Sequence, residues 1–391
     1  MHPDGSDSFR NPWRILSFLT TFAEEFYKAD MNKKTIITAL LALVALAANA
    51  AVADSIRQNL ADFDSVVYMA EHDYAPFKFK VTNKNKKEYN ALKKRLIKDL
   101  TKGKRSWQDA VCAYVGWFGD YHFFPYGNND IYTNYKKYRR KQLDYNTLMD
   151  EYRPKQMSCK IDDDTWLIRY PSCGIESKWM EQSVREYLAS RCPCLIIDIR
   201  GNGGGQDDNY MSLMQLLYDN PDNKRDGSIM RYTAASIRRC EWTEEDLIDL
   251  GYPTDIAHAP EYVVKLDDGT SLLFDSISSL PKKAAIIIDN GNFSSGEQLI
   301  LDARSASRRT RIYGRDNTAG CIDTGNCISY IPTNRRIAIQ YPTTYSTRYE
   351  KGTGVDPIGI APDVRITLPY PKRLTDNIDE WVLWVAKDLK R

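Results

Sequence analysis

Short apolar runs alternate along the chain with segments whose apolar residues recur every three to four positions. Thr165–Tyr170, Leu195–Ile199 and Ala284–Ile288 read as strands, the last two nearly continuously apolar, as strands covered on both faces are. Glu176–Leu188 reads as a helix with Trp179, Met180, Val184 and Leu188 on one face; Tyr210–Tyr218 and Glu297–Ala306 follow the same spacing. Further strands are expected at Arg311–Gly314, Cys327–Ile331 and Arg336–Tyr341, and an amphipathic helix at Asn377–Leu389. Strands alternating with helices predict an α/β core. Its expected limits are 159–372, with 219–280 as an insertion of short strands and loops and 373–391 as a C-terminal helix. Upstream, Phe63, Val66, Val67, Met69 and Ala70, and then Tyr89 to Leu100, repeat at helical spacing. They predict a small helical N-terminal domain over 54–127, joined to the core by a polar, tyrosine-rich linker over 128–158.

The first 53 residues read differently. Met31-Asn32-Lys33-Lys34 is a short basic start, Thr35–Ala48 an apolar run, and Asn49–Ala53 a small-residue segment, the order of a secretory signal peptide over 31–53. Cleavage is expected after Ala50 or Ala53, and the apolar run falls short of the roughly 20 residues that span a bilayer. Stable membrane insertion is therefore not expected, the mature protein is placed in the periplasm or outside the cell, and 1–30 is read as an artefact upstream of a true start at Met31. Removing 1–53 takes away equal numbers of basic and acidic residues, so the net charge stays at +2. No nucleic acid is expected as a partner. The eight cysteines all follow residue 53, an even number that permits disulfides in an oxidising compartment. Cys321 and Cys327 bracket a Gly-containing loop and are the best candidate pair. The spacings match no common zinc pattern, and neither a metal nor an organic cofactor is expected.

The candidate chemistry sits at two strand ends. Ile286–Ile288 runs into Asp289-Asn290-Gly291-Asn292-Phe293-Ser294-Ser295-Gly296-Glu297, a turn carrying two serines before a helix. A strand-to-helix turn is how a hydroxyl nucleophile is presented. Leu195–Ile199 runs into Arg200-Gly201-Asn202-Gly203-Gly204-Gly205, bare backbone of the kind an oxyanion hole needs. The competing explanation for Ser294 and Ser295 is a helix N-cap. Asp198 and Arg200 are expected to brace the turn.

Five motifs in order carry a family resemblance: Gly119-Asp120-Tyr121-His122, the Asp198–Gly205 segment, Asn292–Glu297, Gly314–Gly320, and Gly359-Ile360-Ala361-Pro362-Asp363-Val364. Together they resemble the tail-specific, or C-terminal processing, serine peptidases, over most of the chain from Asp54 to Val364. The resemblance implies a crotonase-like (ClpP-like) β-spiral core, an exported peptidase and a peptide or protein substrate. It also points to Ser294 as nucleophile, three residues before Glu297, with Ser295 the alternative. The oxyanion hole would be the Ser295 N–H with that of Gly203 or Gly204.

Many members of that family use a lysine some way after the serine, but Thr318–Asp323 holds none. The chain is closer to the tricorn-type branch, in which a histidine from a loop before the core is the base; His122 fits, and His72 and His258 do not. Asp356 falls where that branch places the acid that orients the histidine, with Glu350 and Asp120 as alternates. Those relatives carry a serine just before the histidine, where this chain has Tyr121. Tyr341–Ser346 is expected to line the substrate groove, and Phe123–Cys159 leaves no room for a PDZ module. Two rival readings remain on the same fold: a lipid- or peptide-binding module, and a catalytically inactive scaffold.

Overall fold

The structure is a computed structural model whose described residues are 33–127, 129–138, 154–240, 243, 245, 248, 262–267, 269, 271–333, 337–372 and 374–391. The expectations for residues 1–30, His258 and the middle of the 128–158 linker lie outside them. The described chain begins in helix α1 (Lys33–His72), which contains an 18-residue window of mean hydropathy 1.9. It is long and apolar enough to cross a bilayer, and it runs unbroken past Ala53, so no structural boundary marks the expected cleavage region. Residues up to Ala61 form one unit, in which Leu41, Val44 and Leu46 are exposed; Asp62–Arg391 forms the other.

In the larger unit, helices α2 (Lys86–Thr101) and α3 (Trp107–Trp117) form as their periodicity predicts. α2 buries Tyr89, Leu92, Leu96 and Leu100, and the Ser106 side chain accepts the Asp109 N–H at the start of α3. From Asp62 on, this region shares one compact unit with the strands that follow. Strand β1 (Phe124–Tyr126) places Phe124 opposite Gln340 in an antiparallel pair. The Ala75 N–H donates to the Pro342 carbonyl at 3.2 Å, and Arg239 forms an ion pair with buried Asp73. Helix α4 (Asn129–Lys136) follows β1.

One sheet contains β2 (Met157–Asp162), β3 (Thr165–Arg169) and β4 (Cys194–Asp198). Strands β5 (Ser228–Tyr232) and β6 (Tyr262–Asp267) belong to another, and β7 (Lys283–Ile288) and β8 (Thr310–Gly314) return to the first. β9 (Thr324–Tyr330) and β10 (Ala338–Ser346) complete the second sheet, and β11 (Val364–Arg365) closes the first. The first sheet runs β11-β8-β7-β4-β3-β2, parallel except for the β2–β3 edge. The second runs β1-β10-β5-β6, with β9 also on β10. Within 219–280, β5 joins the second sheet by pairing with β10 at Met230↔Thr344. β2 is absent from the sequence expectation, although its apolar residues Met157, Cys159 and Ile161 alternate with polar ones and pack against the core.

The parallel strands alternate strictly between two cores. Leu195, Ile197, Ile286 and Ile288 face helices α5 (Ser177–Ser190), α6 (Met211–Leu217) and α8 (Ser295–Ala306), through Met180, Leu213, Leu299 and Ile300. Ile196, Ala285 and Ile287 face the opposite core, with Trp381, Val382 and Val385 of helix α9 (Glu380–Leu389). Helix α7 (Ala234–Cys240) lies between β5 and β6 in sequence.

Beneath the end of β4 lies a buried charge cluster. The Arg169 and Arg200 side chains are 2% exposed, Asp198 1% and Asp379 0%. Arg200 reaches Asp198 Oδ2 and Asp379 Oδ2, both at 2.6 Å, and Arg169 reaches Asp198 at 2.9 Å and Asp379 at 3.1 Å. Burial pushes the Asp198 carboxyl up, but Arg200 and Arg169 outweigh it and hold the value at about 2. Asp379 also caps α9 through the Trp381 N–H at 3.0 Å. Asp198 and Arg200 thus brace the turn, as their sequence position implies. Asp379→Ala should leave two buried guanidinium groups undercompensated and uncap α9. A loss of roughly 3–5 kcal/mol in urea-denaturation stability is expected, and a change below about 0.5 kcal/mol would contradict the assigned role.

Candidate active site

Three adjacent parallel strands, β4, β7 and β8, send their C-terminal loops to one edge of the first sheet, the usual place for a site in a parallel sheet. The loop after β7 carries Ser294 at φ 54°, ψ −132°. That region is strained for any residue with a Cβ. The strain is held from several sides. The Ser294 N–H donates to the Cys321 carbonyl at 3.0 Å, its own carbonyl accepts the Glu297 N–H at 2.8 Å, and the Phe293 N–H donates to the Asn202 carbonyl at 3.3 Å.

Ser294 stands at the N-cap position of α8 but its side chain makes no capping bond. The N-cap explanation therefore fails for it, and its hydroxyl is free among the described residues. Ser295 is committed elsewhere: its hydroxyl donates to the Gly205 carbonyl at 2.9 Å. As the first residue of α8, Ser295 presents an N–H with no intrahelical acceptor. Gly204 must be glycine, since a Cβ there would lie 2.8 Å from Ser294 Cβ, and its φ is +103°.

Of the expected oxyanion-hole glycines, Gly204 is corrected by its own hydrogen bond: its N–H donates to Asn202 Oδ1 at 2.9 Å. Gly203 packs under Phe293, whose ring would lie 3.2 Å from a Cβ there. Gly205, missed in the sequence reading, lines the same cleft as Ser294 and Ser295. Three consecutive glycines look alike in sequence; the Asn202 side chain is what distinguishes them.

Glu297 is fully buried. Its carboxylate accepts the Thr318 hydroxyl, the Gly320 N–H at 2.9 Å and the Cys321 N–H at 2.7 Å. Burial pushes it up to about 7, against these hydrogen bonds. It fixes the loop whose Cys321 carbonyl holds Ser294.

His122 is half-buried and lines the cleft with Ser294. Its Nδ1 lies 3.2 Å from Thr324 Oγ1 and 3.2 Å from Cys321 Sγ. Thr324 gives its only hydroxyl proton to Asp120 Oδ1 at 3.0 Å. The bond to His122 therefore requires a proton on Nδ1 and leaves the Nε2 lone pair available. Asp120 is buried, accepts the His122 backbone N–H at 2.9 Å and the Tyr74 hydroxyl at 2.6 Å, and so stands one hydroxyl away from the imidazole. Burial pushes the His122 imidazole below its ordinary value, against the opposing pull of Asp120. Thr324 was not anticipated. It lies 202 residues from His122 and no local motif marks it.

Asp356 does not orient the histidine. Its oxygens accept the Ile322 N–H at 2.8 Å and the Asp323 N–H at 3.1 Å, while Asp323 accepts the Val355 N–H at 2.5 Å and the Asp356 N–H at 2.8 Å. This reciprocal clasp joins two loops. Burial, and then Asp323, push the Asp356 carboxyl well up. Glu350 is half-exposed and pairs with Lys78 at 3.7 Å. Tyr121, where relatives have a serine, packs edge-on against Phe293 at 6.2 Å. Cys321 and Cys327 are free thiols, not the expected disulfide; each lies against His122, one at the ring and one at 3.8 Å from its carbonyl. His72 bonds only the Tyr68 carbonyl, at 2.8 Å, on the exposed face of α1.

The cleft has a volume of about 460 Å³. Asp207, Arg225, Asp226, Arg348 and Gln298 give it a polar wall, and Thr344, Tyr345 and Ser346 of the expected groove segment line it too.

The sequence profile of peptidase family S41 matches residues 164–366. The chain belongs to peptidase family S41. By this membership it is a serine-type peptidase, in agreement with the motif order. Similar solved structures include mature CPAF, with TM-score 0.52 and 13% identity over 79% of this chain and 92% of that chain. The complex of mature CPAF with lactacystin gives 0.52 and 13%, over 79% and 94%. A candidate peptidase from Parabacteroides merdae gives 0.48 and 15%, over 80% and 90%. At such identities the likeness to CPAF speaks for the fold. No curated protein matches the sequence.

In this S41 chain the Glu297 clasp offers a test. Glu297→Gln would turn an amide N–H₂ toward an N–H or O–H donor. A stability loss of about 1–3 kcal/mol is expected, together with a fall in kcat larger than any change in KM. Unchanged steady-state kinetics would show that the clasp does not position Ser294.

Proposed function

We propose that this protein hydrolyses peptide bonds outside the cytoplasm, with Ser294 as nucleophile and His122 as base. The observation that carries this reading is the strained, uncapped Ser294 in one cleft with a histidine whose Nδ1 is anchored and whose Nε2 is free. Ser294 Oγ bonds to the substrate carbonyl carbon while His122 Nε2 takes its proton. The tetrahedral oxyanion is held by the Ser295 and Gly205 N–H groups, at roughly 3–4 kcal/mol for a donor of this kind. The C–N bond then breaks, and Nε2 passes its proton to the leaving amine. Water, deprotonated by the same nitrogen, releases the acyl group and restores Ser294. Asp120, acting through Thr324, holds the imidazole and balances its transient charge, the role that the family resemblance had assigned to Asp356. The crotonase-like reading of the core belongs to the same proposal, supported by the largely parallel sheet flanked by helices.

One observation favours the inactive-scaffold reading: Ser294 Oγ makes no hydrogen bond to His122 in this structure. Catalytic bonds are often long before substrate binds, so a chemical probe decides. A fluorophosphonate should label Ser294 in the wild type and fail in Ser294→Ala and His122→Ala, with all three melting alike. Labelling and peptide turnover should fade as pH falls through a value below 6.5, because the base must be neutral and burial lowers its pKa. An unlabelled wild type would favour the scaffold. The polar cleft wall gives no support to a lipid ligand.

Export is inferred from the basic start and apolar run of α1. N-terminal sequencing of the exported protein should begin at Ala51 or Asp54; an intact Lys33–Ala53 segment on a membrane-bound protein would instead mark α1 as an anchor.

A further inference from the structure

The Cys321 thiol has no part in the peptidase mechanism, yet it completes a donor set with two groups that do, Asp120 and His122. Asp120, His122 and Cys321 each direct one ligand atom inward, and these atoms all lie within 4.8 Å of one another. His122 Nδ1 and Cys321 Sγ are 3.2 Å apart. Zinc sits about 2.3 Å from sulfur and about 2.0–2.1 Å from nitrogen or oxygen, so tetrahedral donors stand roughly 3.5 Å apart. Small side-chain shifts would bring the three into that arrangement. A thiolate with an imidazole selects zinc over magnesium or calcium. Asp120 is pre-oriented by the Tyr74 hydroxyl at 2.6 Å and the His122 backbone N–H at 2.9 Å, the outer support such ligands need. Of the three, His122 lines the cleft, while Asp120 and Cys321 lie buried behind it, so an ion reaches them past the imidazole. Sequence spacing hides the site, because its ligands come from one loop near residue 120 and another near residue 321.

We propose that Zn²⁺ binds Asp120, His122 Nδ1 and Cys321 Sγ and thereby switches the peptidase off. On binding, the S–H bond of Cys321 breaks, its proton leaves to solvent, and a Zn–S bond forms. The Nδ1 proton moves to Nε2 as the ion takes the Nδ1 lone pair, and Thr324 loses its bond to the ring. With Nε2 protonated, His122 cannot accept the Ser294 proton. The inhibition rests on the peptidase reading above; the binding does not.

The test uses the full-length protein in two arms. In the first, Co²⁺ is titrated into the reduced wild type, Cys321→Ala and Cys327→Ala. A thiolate-to-cobalt charge-transfer band saturating at one equivalent is expected in the wild type and Cys327→Ala and absent from Cys321→Ala. Cys321→Ser, closer in size, serves if the alanine variant does not fold. In the second arm, Zn²⁺ is added to each active protein and its rate compared with its own zinc-free rate. Wild type and Cys327→Ala should lose turnover and regain it with a chelator, while Cys321→Ala should keep its rate. No band in the wild type, or a band that survives in Cys321→Ala, overturns the site. A band with undiminished turnover in zinc overturns the switch. A band in a protein with no zinc-free activity supports the site and counts against the peptidase reading instead.

Discussion

The site depends on one buried carboxylate. Glu297, in the first turn of α8, accepts three donors from a loop that it would otherwise never meet, the Thr318 hydroxyl and the Gly320 and Cys321 N–H groups. The Cys321 carbonyl then receives the Ser294 N–H, and the Cys321 thiol lies against His122. One side chain thus links the strained turn of Ser294 to the surroundings of His122. Removing water from a carboxylate is costly unless its lone pairs are used, and here backbone donors use them. The same device recurs nearby: Asp289 Oδ1 accepts the Gly201 and Gly291 N–H groups, both at 2.9 Å, tying the loop after β4 to the loop after β7. Burial pushes Asp289 up to about 6. The catalytic edge is therefore built from loops pinned by buried acids.

This explains why the acids were harder to assign from sequence than the serine. Ser294 is marked by its strand, its turn and the helix after it, all within a dozen residues. Asp356, Asp323, Asp120 and Glu297 are all buried or nearly so, and all accept backbone N–H groups. What separates a loop clasp from a partner of the histidine is which amides lie within reach, and that is set by the packing of distant loops. Asp120 is only two residues from His122, and its side chain makes no direct hydrogen bond to the ring. The structure routes the contact through Thr324 instead, so the short separation does not matter.

The fold was legible in the same uneven way. β4 and β7 are apolar on both faces and could be read directly, as could α5, α8 and α9 from their periodicity. β5 and β6 could not, because half-buried strands owe their stability to their partners, and β5 pairs with β10, more than a hundred residues later. The helical region near the start looked separable because its periodicity is self-contained. Nothing local reveals that Phe124–Tyr126 adds a strand to the second sheet.

The missing lysine is best understood through the same contacts. A Ser–Lys dyad needs an amine kept neutral by burial, whereas the Cys321 loop that holds Ser294 is surrounded here by Asp120, Asp356 and Glu297. Those of them that are ionised would favour the charged form of an amine and deprive it of its lone pair. A histidine tolerates that setting better. Burial lowers its affinity for the proton in the resting state, and the nearby acid becomes an asset once the imidazolium forms in the reaction. Thr324 keeps the two apart by one hydroxyl. A direct Asp120–His122 contact would strengthen the pull on the proton; with the hydroxyl between them, the resting ring can stay neutral while its tautomer is still fixed. The proposed base, a histidine rather than a lysine, is thus the one compatible with the acids that hold the loops in place.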